Sequence, residues 1–450
     1  MSHTRRSFLR SLGLSAGAFA LGSVALPRRA AAVSADRRFI FCYMSGGWDG
    51  LLGLDPRDPN VFTEERIGET KIQLGWDRLD ARYRGIGVVA PAGSNLELGP
   101  TTTRIAAHFD KLCVVRGIST DTVAHEVGRR YFLTGLPPRG TSAAGSSVGT
   151  RVVAQQGDLS TIPHLVSRVE TYNEGDPSFA SGMSINGYSD LVAALQDGPG
   201  APTGVVRSAL DGYRARATKC DPARLNDRGI LTLLSDTQTK ARDLVESGVA
   251  TLFDFSNTRD ADMTAIRARY GIVGNSGNQP GAQAAVAFQA LKHRVAQVVT
   301  LELANGLDTH DDSWATTHPA ALEAGFDALA QLVTDLSTEP HELGGTLLDR
   351  TTIVVFSEFG RTSLLNSRDG RDHSLSTSCL LIGAGVPHNR VVGATSDVGM
   401  GPVAIDPVTG NVAATGGVIL TPTLIHASIL QAGGFDTSRL RTSGVPALMG

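Results

Sequence analysis

Four apolar runs in this 450-residue chain are uninterrupted: FIFCYM (Phe39–Met44), LCVVR (Leu112–Arg116), VVTLEL (Val298–Leu303) and TIVVF (Thr352–Phe356). A strand with one wet face alternates apolar and polar residues. Runs without alternation belong to strands buried on both faces, as in parallel sheets covered by helices. A fifth run, SCLLI (Ser378–Ile382), leads into Gly-Ala-Gly. Between the runs, Gln283–Val295, Ala315–Asp335 and Pro422–Ala432 carry apolar residues at helical spacing. The pattern predicts an α/β fold, a doubly wound, mostly parallel sheet with helices on both faces. From about His164 to Gly281 strand signals are sparse. Arg224–Phe255 reads as one or two amphipathic helices and Gly274–Gly281 as a loop. Residues 36–450 are therefore expected to form a single α/β domain with a mainly helical insertion or cap at about 164–281.

The N-terminus predicts export. TRRSFLR (Thr4–Arg10) is a twin-arginine motif, followed by a mildly apolar run and by Ala30-Ala31-Ala32, which fits an A-x-A cleavage site. The run is shorter than the roughly 20 apolar residues of a membrane span, so no stable anchor is expected. Residues 1–32 read as a signal peptide that engages the Tat translocase, which places a bacterial protein in the periplasm or outside the cell. They hold five arginines and no acid, so the remainder carries 41 − 5 = 36 basic against 44 acidic residues, a net charge of −8. That balance gives no reason to expect nucleic-acid binding. Cys42, Cys113 and Cys379 sit in apolar runs and read as buried small hydrophobes; Cys220 lies in polar sequence.

Ligands of open α/β sheets bind at the carboxyl ends of the strands, so the residues just beyond each run are informative. After the first comes SGGWDGL, with Asp49. After the second comes GISTDTVAHEVGRRYFLTG, with His125. After the third comes ANGLDTHDD, with Asp308 and His310. After the fourth come SEFGRT, with Glu358 and Arg361, and RDGRDHS, with Asp372 and His373. Each residue alone also suits a turn, a helix cap or a surface position. Together they place carboxylate oxygens and imidazole nitrogens at four strand ends, a donor set that suits one or two divalent ions such as Zn, Mn, Fe or Ca. The expected metal ligands are Asp49, Asp308, His310, Glu358, Asp372 and His373. Arg361 would hold an anion as a bidentate fork, and His125 would position substrate or act as an acid. Ser119, Thr120 and Thr122 lie in a turn where a hydroxyl could serve as nucleophile, Thr122 being the choice. In the loop before His373, Arg368, Asp369 and Arg371 read as solvated.

The ordered set of a twin-arginine leader, GGWDGL, AHEVGRRYFLTG, GLDTH, SEFGRT and DH resembles an exported family of proteins with a domain of unknown function, number fifteen hundred and one, from about Arg38 to the C-terminus. That family resembles the alkaline phosphatase and sulfatase superfamily. The resemblance implies a metal site at the carboxyl edge of the sheet. Asp49 matches the superfamily's first-strand aspartate, Asp308 and His310 its Asp…His pair, and His373 its last metal histidine, with Glu358 where a strand-end aspartate would stand. Two features depart from the pattern. Asp308 and His310 are separated by one residue rather than three, and Cys113 is followed by VVRG rather than the sulfatase signature. The resulting expectation is an exported metal-dependent hydrolase acting on a small anionic phosphate or sulfate ester. The alternative is a non-catalytic exported protein of the same fold that binds a co-exported partner protein or a cell-envelope polymer.

Overall fold

A computed structural model describes residues 36–197, 202, 204–220, 242–243 and 245–450. The leader, and most of the helical stretch expected over 224–255, lie outside these. The described residues from 36 onward belong to one compact unit. Its strands are β1 (Arg38–Met44), β2 (Leu112–Ser119), β3 (His164–Ser167), β4 (Met183–Ile185), β5 (Val298–Ala304), β6 (Thr351–Phe356), β7 (Gly360–Arg361), β8 (His373–Ser374), β9 (Ser376–Gly383) and β10 (Arg390–Val392). Eight of them form one sheet in the order β10-β2-β9-β6-β1-β5-β3-β4, and β7 and β8 pair as a separate ribbon.

All seven residues of β1 are buried. Their side chains alternate between two cores. Ile40, Cys42 and Met44 face one, which includes the helices α1 (Pro280–Lys292) and α2 (Thr317–Thr338). Phe39, Phe41 and Tyr43 face the other, beneath His125–Thr134, Val148–Gln156 and Pro422–Ala432. Both faces of the sheet are covered, which explains why the strand sequences do not alternate. Cys42, Cys113 and Cys379 are fully buried in these cores.

Strand β1 is central, with parallel neighbours β5 and β6 in register at Cys42 with Leu301 and Val355. The fifth apolar run, β9, is antiparallel to both β2 and β6. The cause is its connection. The chain leaves β6, forms the β7–β8 ribbon and enters β9 at the same edge, whereas a parallel strand needs a crossover to the opposite edge. The consequence is functional. The start of β9 lies beside the ends of β1, β2, β5 and β6, so the ribbon delivers Asp372 and His373 to that edge.

Segment 164–281 opens with β3 and β4, which extend the sheet, β3 pairing in parallel with β5 and β4 with β3. Its later apolar residues, among them Tyr188, Phe253, Phe255 and Ile266, merge into the core beside α1. Among the described residues no helix is long and apolar enough to cross a membrane.

Candidate metal centre

The loop after β1 turns at Gly46, whose φ of +118° favours glycine. A Cβ there would lie 2.5 Å from the backbone nitrogen of Asp308, so this glycine lets the β1 and β5 loops touch. Gly128, three residues after His125, plays the same part for the helix His125–Thr134. A Cβ on Gly128 would meet the carbonyl oxygen of Glu358 at 2.4 Å. The helix therefore lies directly on the end of β6, with His125 in its first turn. Asp308 sits in a tight turn, with the Thr309 amide donating to the Leu307 carbonyl, and its side chain meets that of His310.

These contacts gather three imidazoles around one carboxylate. Asp308 Oδ1 lies 2.9 Å from His310 Nε2 and 3.1 Å from His373 Nε2, and Asp308 Oδ2 lies 3.4 Å from His125 Nε2. The two nitrogens His310 Nε2 and His373 Nε2 are 2.9 Å apart. Each ring is held from behind. His125 Nδ1–H donates to Glu358 Oε1 at 2.7 Å, His310 Nδ1–H to Asp372 Oδ1 at 2.8 Å and His373 Nδ1–H to the carbonyl of Val123 at 2.7 Å. With every Nδ1 committed as donor, neutral rings would turn three Nε2 lone pairs and an anionic oxygen toward one another. That contact is repulsive. The Arg361 guanidinium relieves part of the repulsion, with Nη1 3.3 Å from His310 Nε2 and Nη2 on Asp308 Oδ1, and leaves the Nε2 atoms of His125 and His373 without a donor among the described residues. The carboxylates Asp308, Glu358 and Asp372 against the one guanidinium of Arg361 leave a formal −3 + 1 = −2, which one divalent cation would balance. His125, Asp308 and His373 each offer an atom within 4.8 Å of the others. The donor set thus fits a metal ion, with the carboxylates placed as the outer shell that orients ligating imidazoles.

Protonation is set by these partners. Burial pushes the Asp308 carboxyl up, but the hydrogen bond from Arg361, the contact with His373 and nearby positive charge bring it far below the usual range. Glu358 is held low against the effect of burial, chiefly by His125. The hydrogen bond to Glu358 raises the pKa of His125, while burial lowers that of His373. Phe359 is fully buried and packs its ring 4.8 Å from that of His125 and 4.2 Å from that of His373.

Several residues sit elsewhere than the sequence pattern places them. Asp49 is not brought into the cluster. It is 2% exposed, accepts from the backbone of Leu51 and from Trp314 Nε1, and pairs with Arg371 Nε at 2.8 Å. Glu358 and Asp372 stand behind imidazoles, and His125 joins the donors. Arg361 is fully buried and has no free fork for an anion. Its Nε donates to the carbonyl of Gly47, Nη1 to that of Arg371, and Nη2 to that of Gly46 and to Asp308 Oδ1 at 2.6 Å. The Thr122 hydroxyl accepts from the backbone of Ala124. Ser119 donates to Asp121 and Thr120 to backbone carbonyls. Arg371, read as solvated, is completely buried, with its guanidinium 4.7 Å from the ring centre of Trp314. His318, a histidine without a strand-end carboxylate, accepts from the Asp49 backbone at 3.0 Å and bonds through Nδ1 to the hydroxyl of Thr309, between Asp308 and His310. Asn366, which donates to Asp372, is another support that nothing in the sequence pattern singles out.

The family described as "Protein of unknown function (DUF1501)" matches residues 36–438. The chain belongs to this family. Among curated proteins, none matches the sequence. Solved structures similar to this DUF1501 chain include Ps i-CgsB in complex with k-i-k-neocarrahexaose, at 9% identity over 92% of this chain and 75% of that one, with a TM-score of 0.38. A protein in the alkaline phosphatase superfamily from Vibrio parahaemolyticus has 10% identity over 89% and 67%, also with a TM-score of 0.38. TAB5 alkaline phosphatase with Mg bound has 10% identity over 89% and 99%, with a TM-score of 0.32. At these values the similarity assigns no role to any residue of the DUF1501 chain.

Proposed function

We propose that this protein is an exported metal-dependent hydrolase of phosphate or sulfate esters, distantly related to the alkaline phosphatase and sulfatase superfamily. The observation that carries the reading is the convergence of three imidazole Nε2 atoms on Asp308, each ring anchored from behind. His125, Asp308, His310 and His373 would hold one divalent ion. The imidazole-rich set favours Zn, Mn or Fe over Ca, which takes six to eight oxygens. Such an ion acts as a Lewis acid toward an ester oxygen and lowers the pKa of water. Glu358, Asp372 and the Val123 carbonyl hold the imidazole tautomers. Arg361 clamps the Gly46–Gly47 turn to Asp308. Substrate would enter a cavity of about 440 Å³ lined by Tyr43, Ser45, Arg129, Arg168, Glu170 and Glu302. Arg129 lies one helical turn beyond His125 and is paired through Nε and Nη2 with Glu170 at 3.1 and 3.0 Å, so a phosphate or sulfate would take that carboxylate's place.

A second reading is a non-catalytic exported protein of the same fold, with or without a metal, that binds a co-exported protein or an envelope polymer. One observation favours it: among the described residues, the hydroxyls of Ser119, Thr120 and Thr122 are all engaged away from the cluster. Elemental analysis and an ester panel, run on wild type and Asp308→Asn, separate the readings. Bound metal and hydrolysis that are both lost in the variant support the hydrolase. Metal without hydrolysis supports the second reading. Folded, chelator-free protein without metal overturns the hydrolase and also supports the second reading. Export by the twin-arginine route to the periplasm is part of the proposal. Replacing Arg5 and Arg6 by Lys should strand the precursor in the cytoplasm, and normal export of that variant would refute the route.

A further inference from the structure

The far end of helix His125–Thr134, about 15 Å from His125 by helix length, opens on a different cavity. It measures about 710 Å³, a size that holds a small organic molecule, and its lining includes Arg139, Arg151, Arg439, Arg441 and one carboxylate, Glu174. Arg439 is neutralised by Asp176, with both oxygens at 2.8 Å. Arg151 is different. It lies in the helix Val148–Gln156 and is 4% exposed. Among the described residues no acceptor meets its Nε or Nη1. It also borders a smaller cavity of about 180 Å³ shared with Asp176 and Arg439.

A guanidinium stays charged in proteins, so burying two of its nitrogens without an acceptor is unfavourable, even with Asp176 and Glu174 nearby, unless a ligand supplies one. Gly145 gives the side chain its room, since a Cβ there would lie 2.9 Å from Arg151 Nη2. The exposed neighbours Arg139 and Arg441 add positive charge at the mouth. Burial and the nearby Arg439 charge lower the pKa of Arg151, and the carboxylates of Asp176 and Glu174 offset this only in part.

We infer that this cavity is an anion-binding site, separate from the candidate metal centre, in which Arg151 forms the base of a pocket for the carboxylate, sulfate or phosphate group of a small molecule. The unpaired Nε–H and Nη1–H lie beneath the cavity surface, so a small turn of the guanidinium would present them, and the planar fork then matches such oxyanions bidentately. The inference does not depend on the hydrolase reading.

Titration of the full chain with sulfate, phosphate and acetate in a calorimeter tests it. Saturable binding of at least one is expected, and the tightest identifies the ligand's acidic group. Arg151→Met should weaken that binding at least tenfold. Arg139→Ser and Arg441→Ser, both at exposed positions that leave the core untouched, should each weaken it about threefold. The Asp308→Asn chain should bind as wild type, which separates this pocket from the metal centre. Absence of saturable binding in wild type overturns the inference. So does unchanged affinity in the two exposed variants, even if Arg151→Met fails to fold, or loss of binding in Asp308→Asn.

Discussion

Asp49 and Asp308 each come after a buried strand, in a glycine-containing loop at one edge of the sheet, yet the fold uses them in opposite ways. Asp49 is 2% exposed and locked to Arg371 and Trp314. The Asp308 side chain is 49% exposed and faces three imidazoles and Arg361. The difference lies in what neutralises each charge. Arg371 cancels Asp49 on the spot and leaves it nothing to offer. Asp308 shares one guanidinium with a ring of nitrogen lone pairs, an arrangement that still lacks positive charge. Position at a strand end thus makes a carboxylate available to a site, and its counter-charge decides whether it serves there.

The largest effect should come from breaking the dry pair. Arg371→Met leaves the Asp49 carboxylate buried without its partner, which costs about 3–5 kcal/mol. Urea unfolding should show the midpoint falling with little change in slope. The folded fraction should retain its metal, because neither side chain touches the cluster. Loss of metal from folded Arg371→Met would return Asp49 to the ligand set.

The next effect belongs to the wet site. Glu358 holds the tautomer of His125 without being a donor itself. Glu358→Gln should therefore weaken metal affinity about 10–100-fold rather than abolish it. Competition against a chelating dye measures this. Complete loss would make Glu358 a direct ligand, and a change below twofold would remove it from the site.

The sequence already carries much of this contrast. Strands β1, β2, β5 and β6 are legible because both faces are buried, and the helices Pro280–Lys292, Thr317–Thr338 and Pro422–Ala432 match their periodicity. The reversed direction of β9 is not legible, since an unbroken apolar run has no polarity. Strands β3, β4 and β10 have three or four residues, too few for a period. At the site, the residue types at the strand ends are legible but their shells are not. Whether a carboxylate meets a cation or the Nδ1 of a histidine depends on contacts between residues more than two hundred positions apart, such as His125 with Glu358. The hydroxyl of Thr122 serves a local turn, the ordinary use of threonine before a helix.

A milder test compares charges that the fold excludes with those that it exposes. His164 is buried between Thr150 and Thr300, and burial pulls its pKa down to about 3. The unfolded chain titrates near 6.5. Above that pH neither state binds the proton and His164 leaves stability unchanged. Below it the unfolded state takes up a proton that the folded state refuses, so stability falls between about pH 6.5 and 3, by up to ~1.4 kcal/mol per pH unit. Denaturation midpoints of His164→Gln should fall less steeply over that window than those of wild type. Parallel slopes would mean that the folded state accommodates the charged ring.

The smallest effect comes from within RDGRDH itself, which contains the same dipeptide twice. Arg371-Asp372 pairs with Asp49 and His310. Arg368-Asp369 differs, because Asp369 pairs with Arg78 where both side chains are solvated, at 61% and 41% exposure. Gly370 pins the loop between the two copies, since a Cβ there would lie 2.2 Å from the backbone of His310 and Asp311. The first copy is left on the solvent side and the second is carried inward. Asp369→Ala should therefore cost no more than about 1 kcal/mol and leave metal content unchanged. A loss approaching that of Arg371→Met would show that the exposed pair holds the loop in place, and that the division between wet and dry charge runs elsewhere.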